Sequence, residues 1–147
     1  RPWLADAVIE GMRPCRFIHV IRNPFDAIAS IVGSSKRGQS LESAIGYFDG
    51  LYTTLTAVTE KLPPGHLHEV HFESFLRQPR DELQKICSFL GLEANPRYLD
   101  SCASIVLDEL EDHRDSVEWD QPTLQKARAL IDKYPFLSER YAEKAGA

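Results

Sequence analysis

"RFIHVIRNPFDAIAS", residues 16 to 30, decides how the chain is read. Its opening run is short, rich in Ile, Val and Phe, and bounded by Pro14 and Pro24. That pattern predicts a buried parallel strand over 16–22. Asn23 is a favourable N-cap and Pro24 suits the first helical position. Asp26 falls in the first turn, where the helix dipole favours a negative charge. A helix over about 24–34 follows. Arg22 then stands at the carboxyl end of a parallel strand, the place where α/β folds bind ligands. The N–H groups and dipole of the next helix face the same crevice. Ser30 stands about one turn beyond Asp26. A guanidinium and a hydroxyl on such a strand-turn-helix make a compact anion clamp, because arginine meets phosphate with two parallel hydrogen bonds. Spacing alone favours a plainer alternative. Asn-Pro-x-Asp is a common helix start, Arg22 reads as a solvated strand-end charge, and Ser30 as a small packing residue.

Working outward, Leu4, Val8 and Met12 form one stripe of a helix over 3–12. "GSSKRGQS" after the second helix is a polar loop. From Ser40 a long helix carries Leu41, Ala44, Ile45, Phe48, Leu51, Tyr52, Leu55, Val58 and Leu62 at steps of three and four, until "PPG" at 63–65 stops it. "HLHEVHFE" reads as a second strand, with Val70 and Phe72 on one face and Glu73 at its end. Pro79 opens another helix that Gly91 ends. "NPRYLDSCASIVL" repeats the Asn-Pro start, and two helices close the chain. The segment 108–118, "DELEDHRDSVE", has no apolar period and reads as a loop. Two strands and about six helices result. Strands joined by helices are parallel, yet two strands leave both sheet edges open. The strand count alone implies that further strands belong to this fold.

The 147 residues suffice for one domain with a sizeable core. A net charge of −5 argues against a nucleic-acid-binding surface, though not against a local anion pocket. No apolar run approaches the roughly 20 residues of a membrane helix. Cys15, Cys87 and Cys102 are distant and odd in number, which fits a reducing compartment and slightly favours the cytoplasm. No zinc-ligand spacing appears. His66, His68 and His71 cluster on the second strand but do not all share a face, and His19 reads as a core histidine. Trp119 reads as packing for a tail helix.

The opening stretch resembles the 3′-phosphate-binding segment of sulfotransferases that use 3′-phosphoadenosine 5′-phosphosulfate (PAPS). Arg22 and Ser30 match in type and spacing the arginine and serine that hold that phosphate. A second segment, "VHFESFLRQPRDELQKICSFLGLE", resembles the family's strand, Tyr-Glu pair, short helix and Pro-initiated helix, with Phe72 and Glu73 standing for Tyr-Glu. The resemblance covers roughly residues 12–93. It implies an α/β fold, a three-layer parallel sheet similar to P-loop kinases, and transfer of a sulfuryl group to a hydroxyl or amine acceptor that is a small molecule, carbohydrate or protein. It implies PAPS as co-substrate, 3′-phosphoadenosine 5′-phosphate as product, and no metal.

Departures accompany the match. Nothing corresponds to the family's 5′-phosphosulfate loop, because "GSSKRGQS" lies between helices and lacks strand-loop-helix context. In the family that loop and the catalytic base precede the 3′-phosphate segment, so residues 1–147 are expected to be the C-terminal part of a single sulfotransferase domain, with the catalytic residues unassigned. Phe72 lacks the tyrosine hydroxyl. The Arg-Lys-Gly loop of the cytosolic branch is absent; Arg114, the nearest basic residue of a late loop, is expected to be a solvated charge in a mobile loop, with service to the 3′-phosphate as the alternative. Two alternatives stay open: a non-catalytic nucleotide-binding or interaction module, and a P-loop kinase relative. The open sheet edge predicts self-association.

Overall fold

A computed structural model describes residues 7, 9–11, 15–34, 38–106 and 113–142. Leu4, Val8 and Met12 of the expected first helix, 35–37 of the polar loop, and 108–112 of the charged segment lie outside the described residues. The described elements are β1 (Phe17–Ile21), α1 (Pro24–Ser34), α2 (Leu41–Thr59), β2 (Leu67–His71), α3 (Phe72–Arg77), α4 (Pro79–Leu90), α5 (Pro96–Ala103), a 3₁₀ turn (His113–Ser116), α6 (Gln121–Lys133) and α7 (Pro135–Tyr141). The class is α/β. Its two strands are parallel, with Phe17 opposite Leu67 and Ile21 opposite His71.

Contacts divide the chain into two compact units, 1–22 with 58–111 and 23–57 with 112–147. In the first, Ile21 and Val70 are buried at the ends of the strands, and Leu99 and Cys87 are buried on the neighbouring helices. Ile18 and Val20 lie on the other pleat of β1 and are 41% and 58% exposed. That is a large apolar exposure for a strand of a fold whose parallel sheets are covered on both faces. Gly91 ends α4 in the left-handed region, φ 73°, where a side chain would be strained. The Leu92 N–H then reaches back to the Cys87 carbonyl at 2.9 Å, the bond that closes a Schellman turn. Asn95 caps α5 by accepting from the N–H groups of Arg97 and Tyr98.

In the second unit Ile28, Ala29, Ala44, Ala127, Ile131 and Leu137 are buried. A fully buried aliphatic side chain such as Leu137 contributes about 1.5–3 kcal/mol. Tyr134 fastens the end of α6 to α2. Its hydroxyl donates to Asp49 Oδ1 at 2.7 Å and lies 2.8 Å from the Thr53 hydroxyl. Lys133 and Tyr134 together hold the Asp49 carboxyl below its ordinary range.

Several boundaries differ from expectation. The helix α2 ends at Thr59, so Leu62 lies outside it despite its period. Its last turn tightens into i→i−3 bonds, Lys61 N–H to Val58 and Leu62 N–H to Thr59. Pro63 explains this, since a residue before proline is pushed out of the helical region. Phe72 and Glu73 belong to the first turn of α3 rather than to the strand. That short helix raises the expected helix count.

Candidate active site

Arg22 follows β1 directly, as the sequence predicts. Its guanidinium carbon sits 5.0 Å from the centroid of the Phe72 ring, in the first turn of α3. The ring face attracts the cation. Phe72 therefore has a role the sequence left open: it is the platform under Arg22. The hydroxyl it lacks takes no part in that contact.

Asn23 buries its side chain and caps α1 by accepting from the Phe25 N–H at 3.0 Å, while the Ala27 N–H bonds to the Asn23 carbonyl at 3.0 Å. Pro24 has no N–H. Most of the first-turn donors expected to face an anion are thus consumed by the helix itself. An anion site here depends on side chains more than on the helix terminus. Ser30 lies on α1, half-buried, one turn after Asp26.

Asp26 lies in the first turn of α1, as the sequence predicts, and its side chain is only 4% exposed. Arg114 binds it: Nη2 donates to Oδ2 at 3.1 Å, Nε to Oδ1 at 3.3 Å, and the Arg114 backbone N–H to Oδ1 at 3.3 Å. The reading of Arg114 as a solvated charge in a loose loop is therefore corrected. Its segment forms the 3₁₀ turn, and Trp119 secures it by donating from Nε1 to the Arg114 carbonyl at 2.9 Å. The Trp119 ring meets Phe25 edge-on, 5.1 Å between centroids. Trp119 is thus a packing residue, but its partner is the first turn of α1.

The histidines do not converge. His66 Nδ1 lies 2.7 Å from the Cys15 carbonyl, and His68 stacks on Phe89. His19 has a side chain 11% exposed, with Nδ1 3.5 Å from Glu69 Oε1. Burial lowers its pKa below the ordinary 6.5, and Glu69 opposes that shift. Cys15, Cys87 and Cys102 are free thiols. A cavity of about 500 Å³ in the second unit is lined by Glu42, Glu118, Asp120, Trp119 and Thr123 among others. Its three carboxylates make it a poor place for an anionic donor.

The strand-turn-helix beginning at β1 and the α3–α4 segment after β2 lie within residues 4–96, which match the model of the Sulfotransferase family. The chain belongs to the sulfotransferase family. No curated protein matches it. Among solved structures this sulfotransferase chain is similar to the sulfotransferase domain from the curacin biosynthetic pathway, with a TM-score of 0.68 and 14% identity. The match covers 90% of this chain and 58% of that one, so the chain spans little more than half the length of that domain. At such identity the likeness is one of fold. It is an α/β fold of the sulfotransferase type, with a two-stranded parallel sheet among the described residues. No described helix is long and apolar enough to cross a membrane.

Proposed function

We propose that this chain supplies the 3′-phosphate-binding part of a PAPS-dependent sulfotransferase. The observation that carries the reading is Arg22, placed by β1 at a strand end with its guanidinium already oriented over Phe72. With Ser30 it offers the donors a phosphate needs, one charged and planar, one neutral. Asp26, the acid nearest to Ser30 along α1, is balanced by Arg114. A phosphomonoester is the anion that donors of these two kinds suit.

On this reading the domain transfers a sulfuryl group to a hydroxyl or amine acceptor. The acceptor oxygen or nitrogen forms the new bond to sulfur, the bond from sulfur to the bridging oxygen breaks, and 3′-phosphoadenosine 5′-phosphate leaves. A base takes the acceptor's proton. Positioning and charge stabilisation do most of the work, as in in-line phosphoryl transfer. Arg22 and Ser30 act far from the sulfur, so their binding energy goes into orientation. We assign the 5′-phosphosulfate loop and the base to the part of the domain that these 147 residues do not span. The acceptor is a small molecule, a carbohydrate or a protein.

Calorimetric titration of the full-length protein with 3′-phosphoadenosine 5′-phosphate and with adenosine 5′-phosphate tests this. Arg22→Ala should weaken the first ligand by roughly 1.5–3 kcal/mol and Ser30→Ala by about 1 kcal/mol, with little effect on the second. Equal losses for both nucleotides would refute the assignment. Thermal shift separates the kinase-relative reading, because a ligand that binds only the folded state raises the melting point. Stabilisation by Mg-ATP but not by 3′-phosphoadenosine 5′-phosphate would favour that alternative.

A further inference from the structure

The phosphate reading leaves one feature of α1 unexplained. Asp26 is buried one turn before Ser30 on the same helix face, a spacing of about 5–6 Å between Cβ atoms. A carboxylate there opposes a phosphate docked on Ser30, and its burial keeps water from screening it. It also works against the attraction that the helix dipole offers an anion. We propose that Arg114 is a positioning residue that cancels the Asp26 charge, so that the turn carrying Ser30 is neutral before the 3′-phosphate arrives. The inference rests on the reading of Ser30 as a phosphate donor.

The geometry supports neutralisation over direct phosphate contact. The Nε and Nη2 groups of Arg114 are both directed to Asp26, one to each carboxylate oxygen, and the backbone N–H adds a third contact. The guanidinium is 39% exposed, so its desolvation is partial, whereas the acid is almost fully enclosed. The segment is also fastened to α1 at two further points. Trp119 lies against Phe25 at the start of the helix. The Ser116 hydroxyl comes within 4.0 Å of where a Cβ on Gly33 would stand, near its end. Arg114 is therefore delivered to Asp26 by a packed element rather than by a chance encounter of surface charges. This device makes the pair specific for the 3′-phosphate. Adenosine 5′-phosphate presents no charge at Ser30 and is indifferent to it.

The test uses the full-length protein and the ratio of its affinities for 3′-phosphoadenosine 5′-phosphate and adenosine 5′-phosphate. Arg114→Gln should lower that ratio by at least about tenfold, a conservative share of what a like-charge juxtaposition costs. Adding Asp26→Asn to Arg114→Gln should restore it, because neither charge remains. Arg114→Lys should hold most of it. A merely structural latch predicts otherwise: both nucleotides weaken together, and the double variant is no better than the single one. Either of those results, or an unchanged ratio in Arg114→Gln, overturns the proposal. Should Arg114→Gln fail to fold, the double variant still decides, since a lowered ratio there refutes neutralisation. Ser30→Ala reads the underlying assignment separately. An unchanged ratio in Ser30→Ala overturns the phosphate reading and the proposal with it. A lowered ratio there beside an unchanged one in Arg114→Gln overturns the proposal alone.

Discussion

Phe72→Leu removes the ring beneath Arg22 while leaving the charge and most of the apolar bulk. The guanidinium carbon is 5.0 Å from the ring centroid, and Arg22 is half-buried. Cation–π contacts range from about 0.5 kcal/mol at exposed sites to about 2 kcal/mol when desolvated, so this one is worth about 1 kcal/mol. If the ring orients the arginine for a 3′-phosphate, that sum appears as lost affinity, about fivefold for 3′-phosphoadenosine 5′-phosphate. Phe72→Tyr keeps the ring face and should bind as the wild type does. Calorimetric titration supplies the affinities, and a melting curve on each variant confirms that it is folded. A double-mutant cycle with Arg22→Ala isolates the contact, because Phe72→Leu should cost nothing once the arginine is gone. Unchanged affinity in Phe72→Leu would refute the platform. An equal loss for adenosine 5′-phosphate would place the ring against the nucleoside instead.

Three further outcomes are expected. His19 binds its proton less tightly in the folded than in the unfolded chain, chiefly through burial, so its contribution is complete above about pH 6.5 and is lost as pH falls through the lowered folded value. Melting temperature should drop on acidification below that point, less steeply in His19→Asn, and identical pH profiles would contradict the assignment. Tyr134→Phe deletes the hydroxyl shared by Asp49 and Thr53 and should cost about 1–2 kcal/mol, read as a lower urea midpoint at unchanged slope. The isolated 147-residue chain should self-associate through its open strand edges and the exposed Ile18 and Val20, and should release no 3′-phosphoadenosine 5′-phosphate from PAPS with phenols, sugars or amines. A monomer on size-exclusion chromatography that turns over PAPS would show that the expected missing loop is not needed.

What the sequence disclosed is what local chemistry determines. Asn23, Pro24 and the Ile/Val run before them specify strand, cap and helix within a dozen residues, and the backbone follows them from Phe17 to Ser34. The Arg22–Phe72 contact was half legible. Both residues were singled out, but Phe72 alternates with Val70 and so reads as strand. The chain turns helical at that residue, which aims the ring at a strand end. The Asp26–Arg114 pair was not legible. Its partners are 88 residues apart, and "DELEDHRDSVE" carries the composition of a solvated loop. Only tertiary packing singles out one arginine from that run. The one local hint was Trp119, whose large apolar ring needed a surface to cover.

The two halves of the proposed clamp share a physical logic. A free arginine loses on the order of 2 kcal/mol of side-chain entropy when it is immobilised, and a clamp that must lose this on binding has less energy for orientation. Phe72 already sits beneath the guanidinium, its centroid 5.0 Å from the guanidinium carbon. On α1 the difficulty is electrostatic. An acid in a helix's first turn is a poor neighbour for a dianion, and on the proposed reading Arg114, with its guanidinium committed to Asp26, removes that conflict. Both supports act through a residue rather than on the ligand. Substituting the supports should therefore change affinity for the 3′-phosphate while leaving its contact atoms intact, whereas substituting Arg22 or Ser30 deletes the contacts themselves. That contrast also accounts for phenylalanine at position 72. A ring face suffices to orient an arginine, so the hydroxyl of a tyrosine is dispensable at a position whose work is to hold Arg22.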